Sequence, residues 1–299
     1  MKKVAIYAQS YSVSSEKEIN ILLKVLQKHH VEVVFETTFH DLLFKNNFIE
    51  KEYPTFSHFN DLSDSFDFMF TLGGDGTILR AVTYVRDLNI PILGINTGRL
   101  GFLATVKKDE IEQAINLLLN NEYSIEERSL LEVKVTPESK EISDINFALN
   151  DVTVARRNTT SMIGVKTFLN NEYLTNYWAD GLIIASPTGS TGYSLSCGGP
   201  VVLPNSKNFV ITPIAPHNLN ARPIIIADNT EIQLEVSARE DDYLISLDSR
   251  ITTVPKETKV FIQKASFSIK SVLLNNQSYL KTLRGKLLWG EDTRNKPKL

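Results

Sequence analysis

Apolar and polar positions recur along the chain at two different periods, and the change from one to the other divides it. Val4 to Ala8 is a short apolar run that reads as a first strand. Ser15 with Glu18 three residues later makes a capping-box start, and Ile19, Leu22, Leu23 and Leu26 follow at helical spacing through about His30. Val31 to Phe35 predicts a second strand, and Thr37 to Ser65 is polar and less regular, with short apolar clusters such as Leu42-Leu43-Phe44. In Phe66 to Leu72 five of seven residues are apolar, which suits a strand covered on both faces. Ile78, Leu79, Val82 and Val85 return to the helical period, Ile90 to Ile95 reads as another strand, and Lys108 to Asn120 is an amphipathic helix with Asn120-Asn121 as its stop. Strand and helix in alternation predict a doubly wound parallel α/β domain.

From Leu130 the texture changes to short β-rich runs separated by polar turns: Leu131–Val135, Asp151–Ala155, Ile163–Leu169, Gly181–Ala185, Phe209–Ile214, Ile232–Val236, Tyr243–Leu247, Lys259–Ile262 and Phe267–Val272. Few of the intervals have room for a helix, so a largely antiparallel β domain is expected. The reading is α/β plus β: an α/β domain over 1–122, a β-rich domain over 123–274, and a tail over 275–299, apolar at helical spacing from Tyr279 to Trp289, that packs back on the first domain. A length of 299 residues gives each domain room for a core of its own.

Composition changes this picture only by exclusion. With 42% hydrophobic and 22% charged residues the chain is an ordinary globular one, and a net charge of −3 argues against a broad nucleic-acid surface. Two lysines precede the first apolar run, but Gln9-Ser10 breaks that run before it reaches the length of a signal-peptide core. No stretch approaches a membrane span, and the single cysteine, Cys197, has no partner for an internal disulfide. The cytoplasm is the expected location.

Gly73-Gly74-Asp75-Gly76-Thr77 joins the central strand to a helix. Glycines admit positive φ and close approach, and the N–H groups of a helix start attract phosphate, so a phosphate or ribose site at the strand's carboxyl end is expected. Asp75 is the odd member, because a carboxylate repels phosphate. Either it accepts a proton or orients a hydroxyl, or it merely caps a helix beginning near Thr77. Asn96-Thr97-Gly98-Arg99-Leu100-Gly101-Phe102 forms a second glycine loop on the same edge, where Arg99 is a candidate for phosphate. Further on, Ser186 to Pro200 packs six small hydroxyl residues and four glycines behind one buried strand, with Tyr193 offering a ring for stacking. Asn150-Asp151 places an amide and a carboxylate at the start of another strand, a pair that alone reads most often as a turn.

Gly73-Gly74-Asp75-Gly76, then Asn150-Asp151, then Asp180-Gly181-Leu182-Ile183 through Pro187-Thr188-Gly189-Ser190-Thr191-Gly192-Tyr193-Ser194-Leu195-Ser196, in this order and spacing, resemble NAD kinase of the bacterial type. The likeness extends to Asn96–Leu103, Ala215-Pro216-His217, Ala221-Arg222-Pro223 and Lys286–Trp289. It implies ATP-dependent phosphorylation of the adenosine-ribose 2′-hydroxyl of NAD in a homodimer or homotetramer, with Mg²⁺ arriving on ATP. By the same resemblance Asp75 accepts the proton with Gly76 beside it, and Asn150, Asp151 and Asp180 hold the dinucleotide. Thr191, Gly192, Tyr193, Ser194, Leu195 and Ser196 line its pocket, and Ala215 forms a wall. Arg80 leans back toward the helix start, within reach of a phosphate. No His, Cys or carboxylate cluster has the spacing of a dedicated metal site, so no metal ligand is assigned.

Three positions depart from the family pattern: Asp151 stands where glutamate is frequent, Gly192 replaces a frequent alanine, and Arg250 falls where members vary. Two rivals remain at this point. One is a lipid kinase sharing the Gly-Gly-Asp-Gly-Thr turn, which calls for a membrane-binding stretch this sequence lacks. The other is a dinucleotide sensor without turnover.

Overall fold

The computed structural model describes residues 1–9, 16–98, 101–158, 161–218 and 220–289. Ser15, the expected helix cap, and Arg99, the expected phosphate contact, lie outside the described residues. The chain divides into two compact units, Met1–Glu126 with Ile269–Leu299, and Glu127–Ser268.

The first unit runs β1 (Lys3–Tyr7), α1 (Glu16–Lys28), β2 (Glu32–Glu36), α2 (Thr37–Lys45), β3 (Thr55–Phe56), β4 (Phe68–Leu72), α3 (Asp75–Val85), β5 (Ile92–Asn96), β6 (Val106–Lys107) and α4 (Ile111–Leu119). Its strands pair in parallel in the order β5-β4-β1-β2-β3, with β6 also on β5. The chain therefore builds outward from β1 on one side, then returns to the other side at β4. In such sheets ligands bind beyond the carboxyl ends of the strands where the order reverses, and the Gly73–Gly76 turn leaves β4 at that point. β4 and β5 are buried along their whole length, as the continuous apolar runs require. Leu22 and Leu26 of α1 and Ile115 and Leu118 of α4 join Phe35, Phe70 and Leu93 in one core.

The helix α2 corrects the expectation of an irregular piece after Thr37. Its cap is Glu36, whose carboxylate accepts the Phe39 N–H at 2.9 Å, and glutamate is not among the short side chains that usually announce a helix start. Phe39 and Leu43 then bury against the sheet side of the helix.

β7 (Tyr123–Thr136) carries the chain into the second unit, which continues with α5 (Lys140–Ser143), β8 (Phe147–Ala148), β9 (Asp151–Ala155), β10 (Ile163–Leu169), β11 (Glu172–Ala179), β12 (Gly181–Ala185), α6 (Tyr193–Ser196), β13 (Asn208–Ile214), β14 (Ile224–Ala227), β15 (Ile232–Ser237), β16 (Asp242–Leu247), β17 (Arg250–Pro255) and β18 (Lys259–Leu274). α7 (Tyr279–Leu287) follows in the returning segment, with Leu283 buried and Lys286 over the Phe102 ring at 5.6 Å. One antiparallel sheet has the order β14-β13-β12-β9-β16-β17, and β11-β10-β15-β18 form a second layer. Val152, Leu182, Phe209 and Ile245 from the first layer and Val165, Leu234 and Ile262 from the second share one core. The α/β plus β reading is thus the architecture observed.

Several strands escaped the sequence reading. β3, β6 and β8 have two residues each, β11 and β17 mix polar with apolar residues so that no apolar run marks them, and β14 is a run of only four apolar residues directly after Pro223. The two expected runs at Lys259–Ile262 and Phe267–Val272 are one strand of 16 residues, β18, whose polar middle is still extended. Among the described residues no helix is long and apolar enough to cross a membrane.

Phe70 is fully buried in β4. Phe70→Ala is expected to cost about 3–5 kcal/mol, read as a lower denaturation midpoint. A loss under about 1 kcal/mol would contradict this packing.

Candidate active site

In the first unit the chemistry gathers after β4. Gly73 has φ 152°, and a Cβ on it would fall 2.1 Å from Thr77 Oγ1, so the turn closes only on glycine. Gly74 is the N-cap and α3 begins at Asp75 itself, with no side-chain cap. The capping alternative for Asp75 therefore fails: its carboxylate turns away from its own helix to the loop after β5. Oδ2 accepts the Phe102 N–H at 2.7 Å, and Oδ1 accepts those of Leu103 at 3.0 Å and Ala104 at 2.9 Å. Gly101 makes the approach feasible, since a Cβ there would lie 1.8 Å from Oδ1. Asn96 shapes the same loop, accepting the Gly98 N–H at 2.7 Å.

A carboxylate offers about four lone-pair directions. Three N–H donors fix the orientation of Asp75, and Oδ2 has no second hydrogen-bond partner among the described residues. Beside it, a Cβ on Gly74 or Gly76 would meet no atom within 4 Å, so the helix start presents bare backbone. Arg80 is exposed one turn on, and its charge reaches the phenols of Tyr7 and Tyr84. Burial pushes the Tyr7 phenol up to about 12, reinforced by Tyr84 and Glu36 and opposed by Arg80.

In the second unit Asn150 and Asp151 open β9. The N–H groups of Leu149, Asn150 and Asp151 converge on the Asp248 carboxylate, at 2.5 Å to Oδ2 and at 2.7 and 3.1 Å to Oδ1. Burial, and then the Asp248 charge, push the Asp151 carboxyl up to about 6, against the Thr153 hydroxyl that donates to it at 3.0 Å. The hydroxyl-rich loop folds onto this turn. Ser186 Oγ donates to Leu149 O at 2.5 Å, its N–H to Asn150 O at 2.9 Å, and a Cβ on Gly189 would lie 1.9 Å from Asn150 O. A Cβ on Gly192 would stand 3.5 Å from Asn150 Nδ2 and 4.0 Å from Asp151 Oδ2, which places Gly192 beside both side chains.

The remaining expected residues are distributed around this centre. Thr191 Oγ1 donates to Thr188 O at 3.3 Å, and Tyr193 is 49% exposed, with its phenol raised first by burial and then by Cys197, Asp151 and Asp180. Ser196 is exposed and Leu195 half-buried, but Ser194 turns inward to share a hydrogen bond of 2.8 Å with Thr212. Asp180 donates its N–H to Ile214 O at 2.9 Å and pairs with Arg156 at 2.9 Å. Ala215, exposed with φ 44°, follows Ile214 directly. Asn150, Asp151, Gly192 and Tyr193 are thus brought together, with Asp180 close enough for its charge to be felt by Tyr193. Asp75, Gly76 and Arg80 cluster in their own unit.

Residues 4–123 match the ATP-NAD kinase N-terminal domain and residues 149–274 the ATP-NAD kinase C-terminal domain. The chain belongs to the NAD kinase family. It is 53% identical over 293 residues to the NAD kinase of Christiangramia forsetii, covering 98% of this chain and 100% of that one. The NAD kinase of Bacteroides fragilis is 41% identical, covering 98% and 99%. Among solved structures, an NAD kinase from Archaeoglobus fulgidus in complex with ATP superposes with TM-score 0.73 at 25% identity, over 96% of this chain and 98% of that one. Yeast NADH kinase complexed with NADH shares the fold, with TM-score 0.88 at 22% identity over 99% and 90%. Membership makes this chain an NAD kinase enzyme, which removes the lipid-kinase and sensor rivals.

Sequence reasoning missed Asp248, Arg156 and the amides of Phe102–Ala104. Leu247-Asp248-Ser249-Arg250 between two β runs reads only as a hairpin turn, and a backbone donor leaves no residue-type signal at all. Gly101→Ala is expected to displace Asp75 and cut NAD kinase turnover about 10²-fold, since a misplacement of about 1 Å costs that much. Full turnover in a folded Gly101→Ala protein would contradict the tight placement.

Proposed function

We propose that the chain transfers the γ-phosphoryl of ATP to the 2′-hydroxyl of the adenosine ribose of NAD, producing NADP and ADP, with Asp75 as the general base. The observation that carries this reading is the Asp75 carboxylate, held in place by three N–H groups while the residue stays part-exposed beside the bare backbone of Gly74 and Gly76. The ribose oxygen attacks the γ-phosphorus, its proton passes to Asp75, and the bridging oxygen leaves on ADP with its electron pair.

Gly76 and Arg80 meet phosphate, Gly76 through bare backbone at the start of α3 and Arg80 through its exposed guanidinium. Asn150, Asp151 and Asp180 hydrogen-bond the dinucleotide, and Thr191, Gly192, Ser194, Leu195 and Ser196 shape the loop that receives it. Ser194 does so from inside, through Thr212, and Tyr193 lays its half-exposed ring on a ligand ring. Ala215 walls the edge next to Asp180. The relatives solved with ATP and with NADH support this pair of ligand classes. Mg²⁺ enters as part of the MgATP substrate and neutralises phosphate charge. Among the described residues no three His, Cys, Asp or Glu side chains group as a metal cage. The enzyme works in the cytoplasm as a homodimer or homotetramer.

Asp75→Asn is close in size to the native side chain and removes the base, while turning an NH₂ toward one of the three loop N–H groups. Turnover is expected to fall about 10²–10⁴-fold while NAD still binds, measured by a coupled NADP assay beside calorimetry. An Asp75→Asn protein that turns over at the parent rate would overturn the assignment.

A further inference from the structure

Asn150 and Asp151 carry short side chains on a turn, so where their functional atoms stand depends on the backbone beneath them. That backbone is held from one side by Asp248, which takes the N–H groups of Leu149, Asn150 and Asp151 on its two oxygens. The hold is returned, since the Asp248 N–H donates to Asp151 O at 3.1 Å. Asp248 itself has φ 48°, a left-handed conformation that the turn between β16 and β17 imposes and that swings the carboxylate under β9. Arg250 secures the preceding residues: Nη1 donates to Ile145 O at 2.8 Å, Nη2 to Phe147 O, and Nε to Leu247 O at 3.0 Å. Asp248 is buried, and a buried carboxylate with three donors is costly to build merely to make a hairpin.

We propose that Asp248 is a positioning residue of the dinucleotide site, setting the Asn150-Asp151 turn at the height from which both side chains reach NAD. The proposal rests on the reading that this turn binds NAD.

Electrostatics adds a second consequence. Asp151 faces Asp248 from below, the Thr153 hydroxyl from its own strand, and Tyr193 and Cys197 from the loop, while Arg250 faces Asp248. Burial raises both carboxyls. Asp248, with three N–H donors and a guanidinium nearby, is the better-stabilised anion, so the first proton goes to Asp151. As pH falls through about 6, Asp151 becomes neutral and loses acceptor strength toward a ribose hydroxyl, and NAD affinity drops. Without the Asp248 charge Asp151 stays ionised to lower pH, so that drop moves to lower pH.

Asp248→Asn tests both parts. Its amide has one acceptor oxygen and turns an NH₂ against a backbone N–H, so the Kd for NAD at pH 8 is expected to rise roughly ten- to a hundred-fold, the equivalent of losing one hydrogen bond to a charged group. The KM for ATP stays unchanged, and a carbon-13 NMR titration of the free protein places Asp151 lower than in the parent. Asp248→Ser, which accepts fewer N–H groups without an opposing NH₂, serves if Asp248→Asn does not fold, and must move both readings the same way. Parent-like NAD affinity and an unmoved Asp151 titration in a folded variant would overturn the proposal alone. A parent protein that binds no NAD would overturn the functional reading, and this proposal with it.

Discussion

A carboxylate closed over by three consecutive backbone N–H groups is the constraint that both halves of this protein depend on. In the first unit Asp75 takes the N–H groups of Phe102, Leu103 and Ala104, and in the second Asp248 takes those of Leu149, Asn150 and Asp151. Loop N–H groups near a sheet edge need partners, and unpaired they cost as much as a lost hydrogen bond. A single anion satisfies three of them and fixes the loop to one place on the sheet. The two cases differ in what remains. Asp75 is part-exposed, whereas Asp248 is buried beneath the turn it holds.

The sheets explain why these clamps stand where they do. β4 lies beside β1, where the strand order turns back, so the loops after β4 and β5 meet at one edge and Asp75 can span from one to the other. Glycine enters where an atom would otherwise collide: Gly101 against Asp75, Gly189 against the Asn150 carbonyl. Gly192 is a looser case, because an added Cβ would meet Gly189 O at 3.2 Å and only brush Asn150. An alanine there needs a shift of a few tenths of an ångström, a modest demand for a residue beside a loop helix of one turn.

Legibility followed the range of the interactions. Strands β4 and β12 announced themselves as largely apolar runs, and Gly73-Gly74-Asp75-Gly76 with the Asp180–Ser196 stretch carried the family resemblance. α2 was hidden because its cap is a glutamate, and β17 because its outward face is exposed at Ile251 and Thr253. Asp248 was hidden for a different reason. Its partners lie 97 to 99 residues away, and all three are met through their backbone N–H groups. Periodicity and motif spacing carry no information about such contacts. The inward turn of Ser194 toward Thr212 is of the same kind, since nothing local distinguishes it from the exposed Ser196 two residues on.

The central claim is that a hydroxyl of NAD is the phosphoryl acceptor. The most direct measurement is phosphorus-31 NMR of the products formed by the purified protein from NAD and MgATP. The account predicts ADP and a phosphorylated dinucleotide in equal amounts, with the new phosphate on the 2′ position of the adenosine ribose. A phosphate at any other hydroxyl, or ADP released with free phosphate and no phosphorylated dinucleotide, would contradict it.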